Sequence, residues 1–215
     1  MIQLNLPTVI TLLRMALIPV LVILYYSPWP AGHTMAAWVF VFAALTDWLD
    51  GWIARRYDLT SAFGAFLDPV ADKLMVAATL IVLVQHHPTI PLALLAIVII
   101  GREISISALR EWMAEMGQRG IVKVGALGKF KTIAQMTALA LMLYRDPLFG
   151  IPTYDLGYAL LAVAAVLTVW SMVRYLQAAI AGSAKIEAAR EAKLAAKAKA
   201  EAIAAGSVST PDTVV

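Results

Sequence analysis

Six stretches of the chain are apolar, and short polar or proline-bearing segments separate them. The runs cover about 8–26, 36–52, 66–85, 90–109, 133–144 with an extension back to about 125, and 158–176. Each comes near the roughly 20 residues that a helix needs to cross a bilayer. Pro88, Pro147 and Pro152 stand where turns between runs are expected. The pattern predicts an all-α integral membrane protein with six transmembrane helices and no internal repeat.

The pattern changes after 182. From 183 to 205 alanines alternate with Lys185, Glu187, Arg190, Glu191, Lys193, Lys197, Lys199 and Glu201, the composition of a solvated helix or a disordered tail. The chain therefore reads as a membrane domain, 1–182, and a cytoplasmic tail, 183–215, to which no chemistry is assigned. At the other end there is no basic segment ahead of the first run, and Arg14 interrupts it, so the N-terminus is expected to be retained rather than cleaved as a signal peptide.

Composition sharpens this picture. A 61% share of hydrophobic residues, with a mean hydropathy of +0.80, is far more apolar surface than one small soluble core needs. Cysteine is absent, which excludes disulfides, thiolate metal sites and a thiol nucleophile; any metal must be held by oxygen or imidazole. Oxygen ligands favour hard cations such as Mg²⁺ or Mn²⁺. The net charge of +3 does not point to nucleic acid, because the basic residues gather in loops. Segments 27–35 and 86–89 carry no Lys or Arg, whereas Arg55 and Arg56 follow the second run, and Arg110, Arg119, Lys123, Lys129 and Lys131 flank the fourth connection. By the positive-inside rule those basic connections and both termini face the cytoplasm. Arg145, beside Asp146, is the exception. Trp48, Trp52, Trp112 and Trp170 near run ends fit an interfacial belt, and His86 and His87, on the opposite side, read as a solvated turn.

Four carboxylates carry the candidate chemistry. Asp47 and Asp50 are three apart and Asp68 and Asp72 four apart, so each pair shares one helix face. An ionised side chain in a span costs at least ~2.5 kcal/mol on insertion scales, so something must compensate them. Two antiparallel helices joined by the short turn 57–61 would bring both pairs together at one membrane face, where a pair of divalent cations would relieve their repulsion. Gly51, Ala54 and Gly64 keep the intervening turns small, leaving room for a ligand near the backbone. The plainer alternative is that the aspartates snorkel, cap or pair with Arg55 and Lys73.

Asp47-Trp-Leu-Asp50-Gly51-Trp-Ile-Ala54-Arg55, followed by Gly64, Asp68 and Asp72 at the spacing found here, resembles the signature of the CDP-alcohol phosphotransferase family. The likeness extends to Asn5-Leu-Pro-Thr-Val-Ile-Thr-Leu-Leu-Arg14, Phe66-Leu-Asp-Pro-Val-Ala-Asp-Lys73, Arg102-Glu-Ile-Ser-Ile-Ser-Ala-Leu-Arg110-Glu-Trp and Gly128-Lys-Phe-Lys-Thr132, and so to nearly all of the chain before about 181. Thr8 is one departure, where many members carry Asn. The resemblance implies a six-helix membrane enzyme, homodimeric, with its active site open to the cytoplasm. It implies that Asp47, Asp50 and Asp68 hold Mg²⁺ or Mn²⁺, two ions, on the diphosphate of a CDP-linked lipid, and that Asp72 completes the site and acts as general base. Gly51, Ala54 and Gly64 resemble the positions that pack against the cytidine nucleotide, and Thr8, Arg55 and Lys73 belong with the lipid diphosphate side. Arg102, Arg110 and Lys131 resemble the pocket for the acceptor's phosphate. Arg102 has an adjacent acid, Glu103, but neighbours at i, i+1 project in different directions on a helix.

The implied reaction is transfer of the phosphatidyl group of CDP-diacylglycerol to sn-glycerol 3-phosphate, giving phosphatidylglycerophosphate and CMP, among membrane phospholipids. The nearest rival is a sister enzyme with another acceptor, forming cardiolipin, phosphatidylserine or phosphatidylinositol phosphate. A secondary transporter would place its charges near mid-span and repeat its spans, and a prenyltransferase would carry its acidic motif twice; neither pattern occurs here.

Overall fold

The computed structural model describes residues 5–57, 61–116 and 126–206. They form six α-helices among the described residues: α1 (Leu6–Tyr26), α2 (Gly32–Tyr57), α3 (Ala62–His86), α4 (Ile90–Glu115), α5 (Ala126–Tyr144) and α6 (Thr153–Gly206). Each apolar run lies within one helix, and Pro88, Pro147 and Pro152 fall between helices. The helices outrun the apolar stretches at several ends, because hydropathy marks contact with hydrocarbon while a helix continues wherever its backbone bonds do. The Ala-rich segment 183–205 is the last part of α6.

Local chemistry explains the starts. A proline in the first turn of α1 removes an N–H that would have no partner there anyway. The Ser61 hydroxyl caps α3 by accepting the Gly64 N–H at 3.0 Å.

The chain separates into two compact units, Met1–Ser107 with Val124–Met172, and Ala108–Lys123 with Val173–Val215. In the first unit, Leu21, Phe40, Leu80, Leu83, Leu92, Ile99, Leu139, Met142 and Leu161 form a common core drawn from all six helices. In the second, Met113 and Ala179 are buried, and Lys197 and Glu201 form a solvated i, i+4 pair at 3.7 Å.

Contacts at the two ends of the first unit's bundle order its helices. At one end the start of α1 (Arg14) meets the end of α2 (Asp47) and the start of α3 (Asp68, Asp72), while the later part of α4 (Arg102, Glu103) meets the start of α5 (Lys131) and α6 (Ser171). At the other end Tyr26 at the close of α1 donates to Gln85 near the close of α3, His33 and Thr34 at the start of α2 reach Asp146 after α5, and His87 stacks on Tyr154 at the start of α6. Successive helices therefore run antiparallel.

Among the described residues, α1 lies against α2 and α3, and α5 also lies against α2 and α3. The sequence reading had α2 and α3 antiparallel with their aspartates at one end; Asp47, Asp68 and Asp72 do meet there, and α1 lies against both helices. Large apolar side chains point outward from every helix, among them Ile23 (69% exposed), Phe42 (55%), Ile81 (62%), Ile97 (66%), Ile133 (66%) and Val166 (70%). So much exposed hydrocarbon is untenable in water and is the surface of a membrane protein. By length and composition, three stretches among the described residues qualify as spans: Thr8–Tyr26, Ile90–Glu115 and Thr153–Ser183.

Candidate active site

The guanidinium of Arg14 is the centre of the acidic cluster. Its Nη1 donates to Asp47 Oδ1 at 2.6 Å and Asp72 Oδ1 at 2.8 Å, and lies 3.3 Å from Asp68 Oδ1. Arg14 is 2% exposed, whereas the three aspartate side chains are 34%, 44% and 40% exposed in that order. The cation is thus sealed in the bundle and the carboxylates open outward from it. The sequence reading brought these aspartates together correctly. It named metal as the compensating charge and treated Arg14 only as an interruption of the first apolar run. The signal was available, since an arginine in a span costs about 2.5–3.5 kcal/mol at mid-span and asks for a partner.

Behind the cluster, buried Thr8 joins α1 to the cap of α3. Its hydroxyl is 3.0 Å from the Ser61 hydroxyl. A Cβ on Gly64 would stand 2.8 Å from Thr8 Oγ1 and 2.9 Å from Ser61 Oγ. The missing side chain at 64 therefore makes room for these two hydroxyls, which gives that glycine a packing reason that spacing alone did not reveal. The side chains of Asp50, Gly51, Ala54 and Arg55, like Lys123, lie outside the described residues.

A second polar cluster joins α4, α5 and α6. Arg102 and Lys131, with side chains 8% and 4% exposed, both approach Glu103 Oε1, at 2.6 Å and 3.6 Å. Arg102 Nη2 also donates to Ser171 Oγ at 3.3 Å. The sequence reading set Glu103 aside because an i, i+1 neighbour projects elsewhere; the long side chains close that gap, and Arg102 is ion-paired with it. Arg110 is exposed on the part of α4 that belongs to the second unit. Lys73 lines a cavity of about 130 Å³ with Glu103, Leu74, Ala77, Ile100 and Ile104.

At the opposite end the histidines do more than fill a turn. His86 packs edge-on against Tyr25 with ring centroids 5.5 Å apart, and His87 lies 4.6 Å from the Tyr154 ring. Burial and the nearby Arg145 charge hold the His87 pKa below its ordinary value, so near neutral pH it acts as an uncharged aromatic packing element. Asp146 is held below the usual carboxylate range by its hydrogen bonds from His33 and Thr34.

The donor set of the first cluster suits a hard divalent cation. Carboxylates from two helices converge without sulfur, they are partly open, and a third helix supplies the fixed point around which they are arranged. Among the described residues no three acidic or imidazole groups already form a metal cage; the aspartates are gathered on Arg14 instead.

An all-helical membrane bundle with an acidic cluster and a buried cationic cluster toward the same end defines a membrane-embedded enzyme class that handles charged substrates. The chain belongs to the CDP-alcohol phosphatidyltransferase family, whose model matches residues 4–170. It is 53% identical over 176 residues to a CDP-diacylglycerol–glycerol-3-phosphate 3-phosphatidyltransferase of Pseudomonas fluorescens, covering 81% of this chain and 90% of that one. Proteins of the same name from Salmonella choleraesuis (strain SC-B67) and Pectobacterium atrosepticum are 50% and 51% identical over 177 residues, each match covering 82% of this chain and 96% of the relative.

Proposed function

We propose that the protein transfers the phosphatidyl group of CDP-diacylglycerol to sn-glycerol 3-phosphate, releasing CMP, in phospholipid biosynthesis. The observation that carries this is identity of about half over four-fifths of the chain to enzymes named for that reaction. The acceptor hydroxyl oxygen forms a bond to the lipid-side phosphorus, the bond from that phosphorus to the CMP oxygen breaks, and the hydroxyl proton passes to Asp72. Arg14 fixes one oxygen of Asp72, whose side chain stays partly exposed. Arg102 and Lys131 hold the acceptor's phosphate, which favours a phosphorylated acceptor over a neutral alcohol. Direct displacement needs positioning and electrostatics only, without a covalent enzyme intermediate.

A divalent metal, Mg²⁺ or Mn²⁺ and two ions by the resemblance, supplies neutralisation of the diphosphate and of the departing CMP. Asp47, Asp68 and Asp72 would hold it, with Asp50. The diphosphate side is assigned to Thr8, Gly51, Ala54, Arg55, Gly64 and Lys73, and Arg110 is kept with the acceptor.

All six helices are proposed to cross the bacterial inner membrane, with the acidic cluster at the cytoplasmic face. The contacts at both bundle ends support this, because α2, α3 and α5 share both ends with α1, α4 and α6. The functional membrane domain is taken as 1–182 and the homodimer as its working form.

The test is CMP release by purified protein with Mg²⁺ or Mn²⁺, comparing glycerol 3-phosphate with serine, inositol phosphate and phosphatidylglycerol. Turnover with glycerol 3-phosphate alone, lost in Asp72→Asn, is expected. Turnover with another acceptor instead would move the assignment to a sister enzyme.

A further inference from the structure

We propose that Glu103 is a displaceable stand-in for the acceptor's phosphate: it occupies Arg102 and Lys131 in the empty enzyme and gives way only to an anion. The inference rests on the reading of Arg102 and Lys131 as the acceptor-phosphate site.

Two buried cations are a costly arrangement without an anion between them. Here a single carboxylate oxygen, Glu103 Oε1, serves both, at 2.6 Å from Arg102 Nη1 and 3.6 Å from Lys131 Nζ. The cluster also holds unused donor capacity. A guanidinium offers five N–H donors, yet Arg102 Nε is buried without a hydrogen-bond partner among the described residues. Among the described residues its Nη2 reaches Ser171 Oγ, at a long 3.3 Å, while that hydroxyl donates to the Thr168 carbonyl at 2.8 Å. A phosphate monoester, with three oxygens and nearly two charges, matches this cluster better than one carboxylate does.

The geometry also gives Glu103 somewhere to go. Its side chain is 28% exposed, unlike the two cations. It borders the cavity of about 130 Å³ whose lining includes Lys73. Lys73 directly follows Asp72. A neutral polyol has no charge with which to replace Glu103, so the ion pair makes Glu103 a specificity-determining residue as well as a counter-ion.

The test is steady-state kinetics of the full chain, with the substitution Glu103→Gln. Removing an internal competitor raises the fraction of competent sites, so KM for sn-glycerol 3-phosphate should fall about three- to tenfold. Inorganic phosphate should inhibit at correspondingly lower concentration, with KM for CDP-diacylglycerol unchanged. An unchanged or higher KM for glycerol 3-phosphate with kcat retained would overturn the proposal and make Glu103 a positioning residue. Should Glu103→Gln fail to fold, Glu103→Asp, whose shorter side chain weakens the same grip, should give a smaller fall in that KM; a rise overturns the proposal equally. Failure of the underlying reading is separate: it would appear as Arg102→Gln and Lys131→Gln proteins whose KM for glycerol 3-phosphate is that of the wild type.

Discussion

One guanidinium nitrogen carries two hydrogens, so Arg14 Nη1 cannot hydrogen-bond equally to three carboxylates. The distances follow that limit: 2.6 Å and 2.8 Å to Asp47 and Asp72, and a longer 3.3 Å to Asp68. Replacing Arg14 by Gln leaves the carboxylates to repel one another. Breaking a fully buried pair costs about 3–5 kcal/mol; the aspartates are partly open, so roughly 1–3 kcal/mol is expected once screening is allowed for. The melting temperature of the Arg14→Gln protein in detergent and EDTA should fall, and added Mn²⁺ should recover part of the loss; a Tm equal to that of the wild type in EDTA would refute the bridging role. Gly64→Ala places a methyl group within 3 Å of two hydroxyls. Overpacking of this kind costs about 1–3 kcal/mol, and Thr8→Ala in the same chain should return part of it. Strictly additive losses in a double-mutant cycle would show that Thr8 and Gly64 do not compete for this space.

The aspartates were legible in the sequence because charge in an apolar run is expensive wherever it occurs. The same rule applied to Arg14, and only the habit of seeking a metal beside carboxylates hid the pairing. Glu103 was illegible for a different reason. Helical spacing describes where Cβ atoms point, and the long side chains of Arg102 and Glu103 reach past that direction. The hydroxyl pair behind Gly64 was also beyond reach, since it requires knowing that Thr8 of α1 meets the cap of α3.

At the scale of elements, the helices could be counted and placed from apolar runs, but their neighbours could not. A turn as short as 57–61 suggests that α2 and α3 run antiparallel, but it does not say that α1 and α5 each lie against both. Close approach has its own signature at Gly157 on α6. A Cβ there would stand 2.8 Å from the Ala138 carbonyl oxygen and 2.8 Å from Met142 Cγ. Because one obstacle is backbone, α5 must shift to admit it, and small residues are what allow membrane helices to pack this closely. Gly157→Ala is expected to lower the melting temperature by an amount corresponding to about 1–3 kcal/mol, with KM for both substrates near wild type. A Tm within experimental error of the wild type would mean that the two helices are not held at this distance.

For the molecule as a whole, the number of crossings decides on which side of the membrane the C-terminal segment lies. If only the three stretches that qualify on hydropathy crossed, α2 and α3 would remain on one side, α5 on the other, and the part of α6 that carries Lys197 would finish opposite the N-terminus. That arrangement would separate His33 from Asp146, which the structure joins at 3.1 Å. With six crossings the part of α6 that carries Lys197 lies on the side of the N-terminus, and the turn at Thr89 lies across the membrane from it. The chain has no cysteine, so a single introduced thiol reports its own position without background. In intact spheroplasts a membrane-impermeant maleimide should label Thr89→Cys and spare Lys197→Cys, and permeabilisation should expose the latter. Labelling of Lys197→Cys before permeabilisation would leave an odd number of crossings and would remove the shared bundle ends as support for the six-span reading.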